Sequence, residues 1–220
     1  MNRNVLLVGS SGGIGKACAA WFGSRGDTLF TLDRERGQDA ANPDDYKKVL
    51  AGVTHLDVVV NAAGSVGVGG IEDCTVAEWR RVLDDNLTSA FVACQAAFSL
   101  LRRDSCVVLF SSVNGRHGGN RLSGPAYAAA KAAIIGLAKH LAKDLAPRGV
   151  RVNAIAPGPV ATPMLDRLSS EEIEKLRATM PLGNIVAASE IAGTVGWLCS
   201  PDARSITGMV VDINGGMWMA

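Results

Sequence analysis

Four glycines fall within Gly9-Ser10-Ser11-Gly12-Gly13-Ile14-Gly15, directly after the apolar run Val5 to Val8 and at the head of a stretch with helical spacing from about Gly13 to Arg25. A short, partly β-branched run of this kind is the pattern of a strand buried on both faces, and turning it into a helix through so few residues is the geometry of a parallel crossover unit. The pattern recurs along the chain. Strand-like runs lie at Thr28 to Leu32, Asp57 to Val60, Val107 to Phe110, Arg151 to Ile155 and Met209 to Ile213. Asn42-Pro43-Asp44-Asp45 announces a short helix ending near Gly52, because Asn caps, Pro suits the first helical position and acids meet the positive end of the dipole. Thr75 and Glu78 have the spacing of a capping box for a helix running into Asn86, and a second apolar-faced helix is expected from there to about Arg103. Further helices are expected over Pro125 to Ala146, Ser169 to Met180 (a lid capped by Ser169 and Glu172) and Ser189 to Cys199.

This alternation predicts an α/β fold of Rossmann type, a doubly wound parallel sheet with helices on both faces. A length of 220 residues suits a single dinucleotide-binding and catalytic domain spanning 1–220. With 22 basic against 21 acidic residues the net charge is +1, which offers no footprint for nucleic acid or an anionic membrane. The five cysteines are widely spaced, without a Cys-x-x-Cys pair or a nearby histidine set, so no metal is expected and the thiols read as reduced. The apolar stretch near the N-terminus is too short for a secretion signal, and the expected location is cytoplasmic.

The glycine turn, with Gly9, Ser11, Gly13, Ile14 and Gly15, suits close approach of a pyrophosphate to free N–H groups at a helix N-terminus. Asp33 ends the second strand eighteen residues after Gly15, where a carboxylate accepts hydrogen bonds from an adenosine ribose diol and repels a 2′-phosphate. NAD(H) is therefore favoured and NADP(H) kept as the alternative, Arg34 and Arg36 arguing the other way. Tyr127 and Lys131 stand four residues apart on one helix face. A lysine cation and an oxidised nicotinamide both favour phenolate, which makes the tyrosine a usable acid/base. Ser112 precedes Tyr127 by fifteen residues at the end of a strand, the edge at which open parallel sheets build their sites.

With these motifs in place, the chain resembles the short-chain dehydrogenase/reductase family, in its compact one-domain branch. The likeness covers nearly the whole chain. It also takes in Asn61-Ala62-Ala63-Gly64, Asn86, Pro157-Gly158-Pro159-Val160-Ala161-Thr162, and the closing Ile206-Thr207-Gly208 with Asp212 and Gly215-Gly216. The resemblance implies reversible hydride transfer between a secondary alcohol or ketone and nicotinamide. It makes Tyr127 the proton donor and acceptor and Ser112 the partner of the substrate oxygen. Lys131 would hold the nicotinamide ribose and lower the tyrosine pKa, and Asn86 would fix a helix geometry in a proton relay. Asn61, Ala62, Ala63 and Gly64 would line the adenosine side, and Pro157, Gly158, Val160 and Thr162 would lie along the nicotinamide, Val160 and Thr162 at its carboxamide. A homo-oligomer, dimer or tetramer, is implied as well.

Three departures from the family pattern stand out. Val8 occupies a position that is often threonine. The loop between Ser112 and Tyr127 is slightly long and carries Arg116, His117 and Arg121. Asp39-Ala40-Ala41-Asn42 resembles the motif that meets the adenine, which makes Asp39 a candidate contact, yet only five residues separate it from Asp33, too few for a parallel crossover. The third strand of the fold is therefore expected to be a stub or missing, its covering helix absent. Two alternatives stay open: a 3-oxoacyl-thioester reductase, with Arg102 and Arg103 facing an acidic carrier, and a non-catalytic cofactor-sensing regulator.

Overall fold

The computed structural model describes residues 2–219. In chain order its elements are β1 (Asn4–Val8), α1 (Gly13–Gly23), β2 (Thr28–Leu32), α2 (Pro43–Val49), β3 (Leu56–Asn61), α3 (Val76–Leu83) and α4 (Ser89–Ala97). There follow β4 (Leu101–Phe110), α5 (Asn114–His117), α6 (Gly124–Leu145), β5 (Arg151–Pro157), β6 (Val160–Ala161), α7 (Ser170–Ala178), β7 (Val186–Ala187), α8 (Ala188–Leu198) and β8 (Val210–Ile213). Six strands form one parallel sheet in the order β2-β1-β3-β4-β5-β8, and β6 pairs with β7 in a small second sheet beyond its edge. The chain leaves β1 for β2 on one side and returns to β3 on the other, so the crevice between these strand ends is the switch point at which such sheets bind ligands.

Strand pleating sorts the core. Leu6, Val8, Val59, Val107 and Leu109 face α2, α4 and α6, whereas Val5, Leu7, Val58, Val60 and Val108 face α1 and α8. All ten are essentially inaccessible, and each contributes roughly 1.5–3 kcal/mol by burial. On the second face α8 comes so close to α1 that a Cβ on Gly196 would lie 2.0 Å from the Trp21 ring.

No strand occurs between β2 and α2; a single 3-10 turn over Arg34–Arg36 fills the place of the missing third strand, as the short spacing demanded. Asn42 caps α2 through the N–H of Asp44, with Pro43 in the first turn. Ser169 and Glu172 form the expected reciprocal capping box of α7.

Two expectations need correction. The helix foreseen to about Arg103 ends at Ala97, and β4 begins at Leu101 rather than Val107. The cause is tertiary: Leu101 pairs with Leu56 of β3 and is buried, and the Arg102 guanidinium is drawn to Asp57 at 2.6 Å, contacts no local pattern announces. The Thr75–Glu78 pair is half a box. Thr75 accepts from the Glu78 N–H, while the Glu78 carboxylate turns to Arg81 at 2.6 Å.

Candidate active site

The glycine turn folds as its composition requires. Gly9 has φ +79°, a conformation other residues avoid, and an added Cβ there would lie 2.5 Å from the Ala63 nitrogen. A Cβ on Gly15 would sit 1.9 Å from the Gly9 carbonyl oxygen. The N-cap of α1 is Gly12, whose lack of a side-chain acceptor leaves the first-turn N–H groups to serve another anion. Ile14 packs into the core beneath. Thr162, following β6, lies against Gly13, where an added Cβ would be 2.4 Å from its methyl group.

Below this turn a cavity of about 180 Å³ opens at the switch point, lined by Gly9 and Gly12, by Asp33 and Asp39, and by Ala62, Ala63 and Gly64 at the end of β3. That volume is below the roughly 300–1,000 Å³ of a full small-molecule site and suits one half of a dinucleotide. Asp33 accepts from the Ser11 N–H at 2.7 Å and from the Glu35 N–H at 2.9 Å. Burial opposes its charge, but these hydrogen bonds outweigh burial and hold the carboxyl below its ordinary value. Asp39 lies on the far wall, its own N–H bonded to Asp45 at 2.9 Å. Asn61 braces the turn after β3 by accepting from the Ala63 N–H at 3.1 Å.

The reactive groups gather on the other side of Gly64. Ser112 follows β4 and is 8% exposed. Lys131, in α6, is buried and donates from Nζ to the Phe110 carbonyl at 2.8 Å. Its Nζ stands 5.4 Å from the centre of the Tyr127 ring. Burial pushes the Lys131 ammonium down to about 7. Burial raises the Tyr127 phenol above its ordinary value, while a hydrogen bond with Ser112 and the Arg167 guanidinium pull it down.

Asn86 sits in a π-type turn, Asp84–Thr88, between α3 and α4. Its amide Nδ2 donates to the Val82 carbonyl at 2.8 Å, four residues back, and to the Ser65 carbonyl at 2.8 Å. A side chain that takes the carbonyl of the preceding turn widens the helix there, a distortion frequent at functional sites. Asn86 Oδ1 is buried without a partner, and a Cβ on Gly64 would lie 2.5 Å from it and 3.5 Å from Lys131 Nζ. Pro157 ends β5 and Gly158 follows it; the Pro157 carbonyl accepts from the Val113 N–H at 2.8 Å, and a Cβ on Gly158 would meet Asn214 at 2.9 Å. Val160 is buried in β6, with Thr162 Oγ1 donating to its carbonyl at 3.3 Å.

Thus Gly9, Asp33, Asp39 and Ala62–Gly64 meet at the cavity, Ser112, Tyr127, Lys131 and Asn86 converge beside it, and Gly13 joins Thr162 over the helix start. Four residues were not foreseen: Asp85 and Gln38, which line the cavity, Ser65, which binds Asn86, and Arg167, which acts on Tyr127. Asp85 had one signal, its place directly before Asn86. The glycine cradle, the free helix N-terminus and the orphaned Asn86 oxygen fit a nicotinamide dinucleotide. No described helix is long and apolar enough to cross a membrane.

A Rossmann sheet with a phenol, a hydroxyl and an ammonium at its switch-point edge defines a dinucleotide-dependent oxidoreductase acting on a CH–OH or keto group. A family model described as enoyl-(acyl carrier protein) reductase matches residues 8–218. The 3-oxoacyl-[acyl-carrier-protein] reductase of Vibrio cholerae is 34% identical over 238 residues, covering 97% of this chain and 96% of that protein. A crystal structure from Brucella melitensis titled short-chain dehydrogenase/reductase, glucose/ribitol dehydrogenase, superposes with a TM-score of 0.94 at 30% identity, over 100% of this chain and 98% of that one. A 3-oxoacyl-[acyl-carrier protein] reductase with bound NAD, also from Brucella melitensis, superposes with a TM-score of 0.87 at 32% identity, over 99% and 92% of the two chains. The chain belongs to the short-chain dehydrogenase/reductase family, and it is an NAD(P)(H)-dependent oxidoreductase.

Proposed function

We propose that this protein reduces a ketone to a secondary alcohol with NADH, and that the ketone is the 3-oxo group of an acyl thioester. The observation that carries the reaction is the meeting of Tyr127 and Lys131 with Ser112 beside the cavity, Lys131 Nζ standing 5.4 Å from the Tyr127 ring centre, and the reductive direction is supported by the printed names of the relatives. Tyr127 donates its proton to the substrate oxygen. Ser112, beside it, holds that oxygen by a hydrogen bond as charge develops. Lys131 steadies the cofactor ribose and supplies positive charge near the phenol; with its ammonium brought to about 7 by burial, it is able to exchange protons at neutral pH. Asn86, through its two carbonyl contacts, holds the helix distortion that faces Lys131.

The bound nicotinamide supplies the hydride. The residues that would hold the cofactor are Gly9, Ser11, Gly13, Ile14 and Gly15 at the pyrophosphate, Asp33 and Asp39 with Asn61, Ala62, Ala63 and Gly64 at the adenosine, and Lys131 with Pro157, Gly158, Val160 and Thr162 at the nicotinamide. Asp33 supports NAD(H) over NADP(H), since its carboxylate is held charged where a 2′-phosphate would lie. The substrate reading is supported by the printed names of the relatives and by the exposed Met164 and Leu182 flanking the α7 lid, which suit an acyl chain. Met180, by contrast, is buried core. Phe91 on α4 and Phe98 directly after it, both half-exposed, suit a homo-oligomer, and the reading has the protein in the cytoplasm as one catalytic domain.

The test is oxidation of NADH and of NADPH, followed by absorbance, against 3-oxoacyl thioesters, cyclic ketones, keto sugars and oxosteroids. The expected result is turnover of 3-oxoacyl thioesters with NADH. Turnover confined to sugars or steroids would overturn the substrate assignment and leave the reaction class standing.

A further inference from the structure

We propose that Asp85 is a specificity-determining positioning residue, which enforces the preference for NAD(H) by holding Arg34 away from the place a 2′-phosphate would take. The inference rests on the NAD(H) reading above and adds a residue to it. Among the described residues lining the cavity, Arg34 is the one cation, against the carboxylates of Asp33, Asp39 and Asp85. It directly follows Asp33, so it is the cation nearest in sequence to the ribose-facing carboxylate and the natural counter-charge for a phosphate there.

Its guanidinium is committed elsewhere. Arg34 Nη2 donates to Asp85 Oδ1 at 2.5 Å, reaching from the 3-10 turn after β2 to the π-type turn that carries Asn86. Asp85 is the fixed partner of the two. Its side chain is only 10% exposed against 75% for Arg34, and its Oδ2 accepts from Ser65 Oγ and from Arg81 Nη1 at 2.8 Å. Arg81 is anchored in turn by Glu78 at 2.6 Å. The long, exposed arginine is thus drawn to a carboxylate already set in place. A dianionic 2′-phosphate would face Asp33 unneutralised unless Arg34 left Asp85, and that exchange discriminates against the phosphorylated cofactor. Arg36 acts on the charge of Asp33 but lies outside the cavity lining.

The test is a set of dissociation constants for NADH and NADPH, measured from nicotinamide fluorescence without any substrate. Asp85→Asn is expected to tighten NADPH by about three- to fivefold, the upper range of a freed exposed ion pair, and to change NADH by less than about twofold. Adding Arg34→Leu to Asp85→Asn is expected to return NADPH to the wild-type value. A gain that survives in the double variant means that Asp85 acts by its own charge and overturns the proposal, as does an equal change for both cofactors. Arg34→Leu alone, a change at an exposed side chain, is expected to leave NADPH binding at the wild-type level; a loss of several-fold would show that Arg34 already serves the phosphate and would also overturn it. Wild-type protein that binds NADPH as tightly as NADH would instead sink the NAD(H) reading, and the double cycle would still judge the Arg34–Asp85 pair.

Discussion

The two halves of the cofactor crevice are built differently. On the reactive side, Ser112 directly after β4, Lys131 on the long helix α6 and Asn86 in the turn between α3 and α4 are all buried, and Lys131 and Asn86 are tied to main-chain carbonyls. On the adenosine side, the wall is a short loop from Asp33 to Asn42, held by turns that its own aspartates cap and by an exposed ion pair to Asp85. Proton transfer demands geometry fixed to a fraction of an ångström, which only a rigid, buried frame supplies. The adenosine grip proposed for this side needs a carboxylate and a wall, and Asp33 and the loop supply both without a strand. The family fold is therefore trimmed where the cost to chemistry is least.

The sharpest way to break this comparison is Tyr127→Phe. It is expected to lower kcat by about 10²–10⁴-fold with NADH affinity unchanged, since the proposed mechanism uses the phenol for proton transfer alone. Steady-state rates beside fluorescence titration check the split; a variant that loses both would mean the two halves are not separable. Next come two glycines. Gly15→Ala forces a Cβ to 1.9 Å from a backbone oxygen and is expected to cost about 3 kcal/mol, with weaker NADH binding. Gly37→Ala, at φ +72° with open space around it, is expected to cost about 1–2 kcal/mol by backbone strain and to spare NADH binding. Denaturant melts with cofactor titrations compare them, and equal losses of affinity would show the adenosine loop to be as rigid as the glycine turn.

Lys131→Met gives the one expected gain in stability, and its pH dependence carries the diagnostic sign. Burial brings the native ammonium to about 7, whereas the unfolded chain keeps the ordinary 10.5. Between these values the unfolded state binds the extra proton, so native stability rises with pH across that window, and the full cost of the buried charge is present below 7. Lys131→Met removes that cost. Its melting temperature is expected to exceed wild type by several degrees at pH 7, with the gain shrinking towards pH 10, while turnover is lost. A destabilised variant at pH 7 would show that the ammonium is better paired than its single carbonyl contact implies.

Much of the site was legible because it is local. The glycines announce a turn that only they can make, the Tyr127–Lys131 spacing follows from helical pitch, and Asp33 is placed by the length of one strand-turn-helix-strand unit. The gap between Asp33 and Asp39 likewise excluded a third strand by reach alone. The start of β4 was not legible, because Leu101 becomes strand only by pairing with Leu56. Nor was the turn at Asn86, which exists because one amide reaches two carbonyls, Val82 in its own helix and Ser65 across the crevice.

The sequence by itself therefore determined the parallel α/β architecture, the shortened segment after β2 and the choice of candidate site residues, since each depends on residue type and on spacing along one chain. Only the tertiary structure decided their surroundings and alliances: the burial that raises the Tyr127 phenol and lowers the Lys131 ammonium, and the Arg34–Asp85 pair at the cavity. These depend on burial and on distances between segments remote in sequence, quantities that a one-dimensional pattern does not contain.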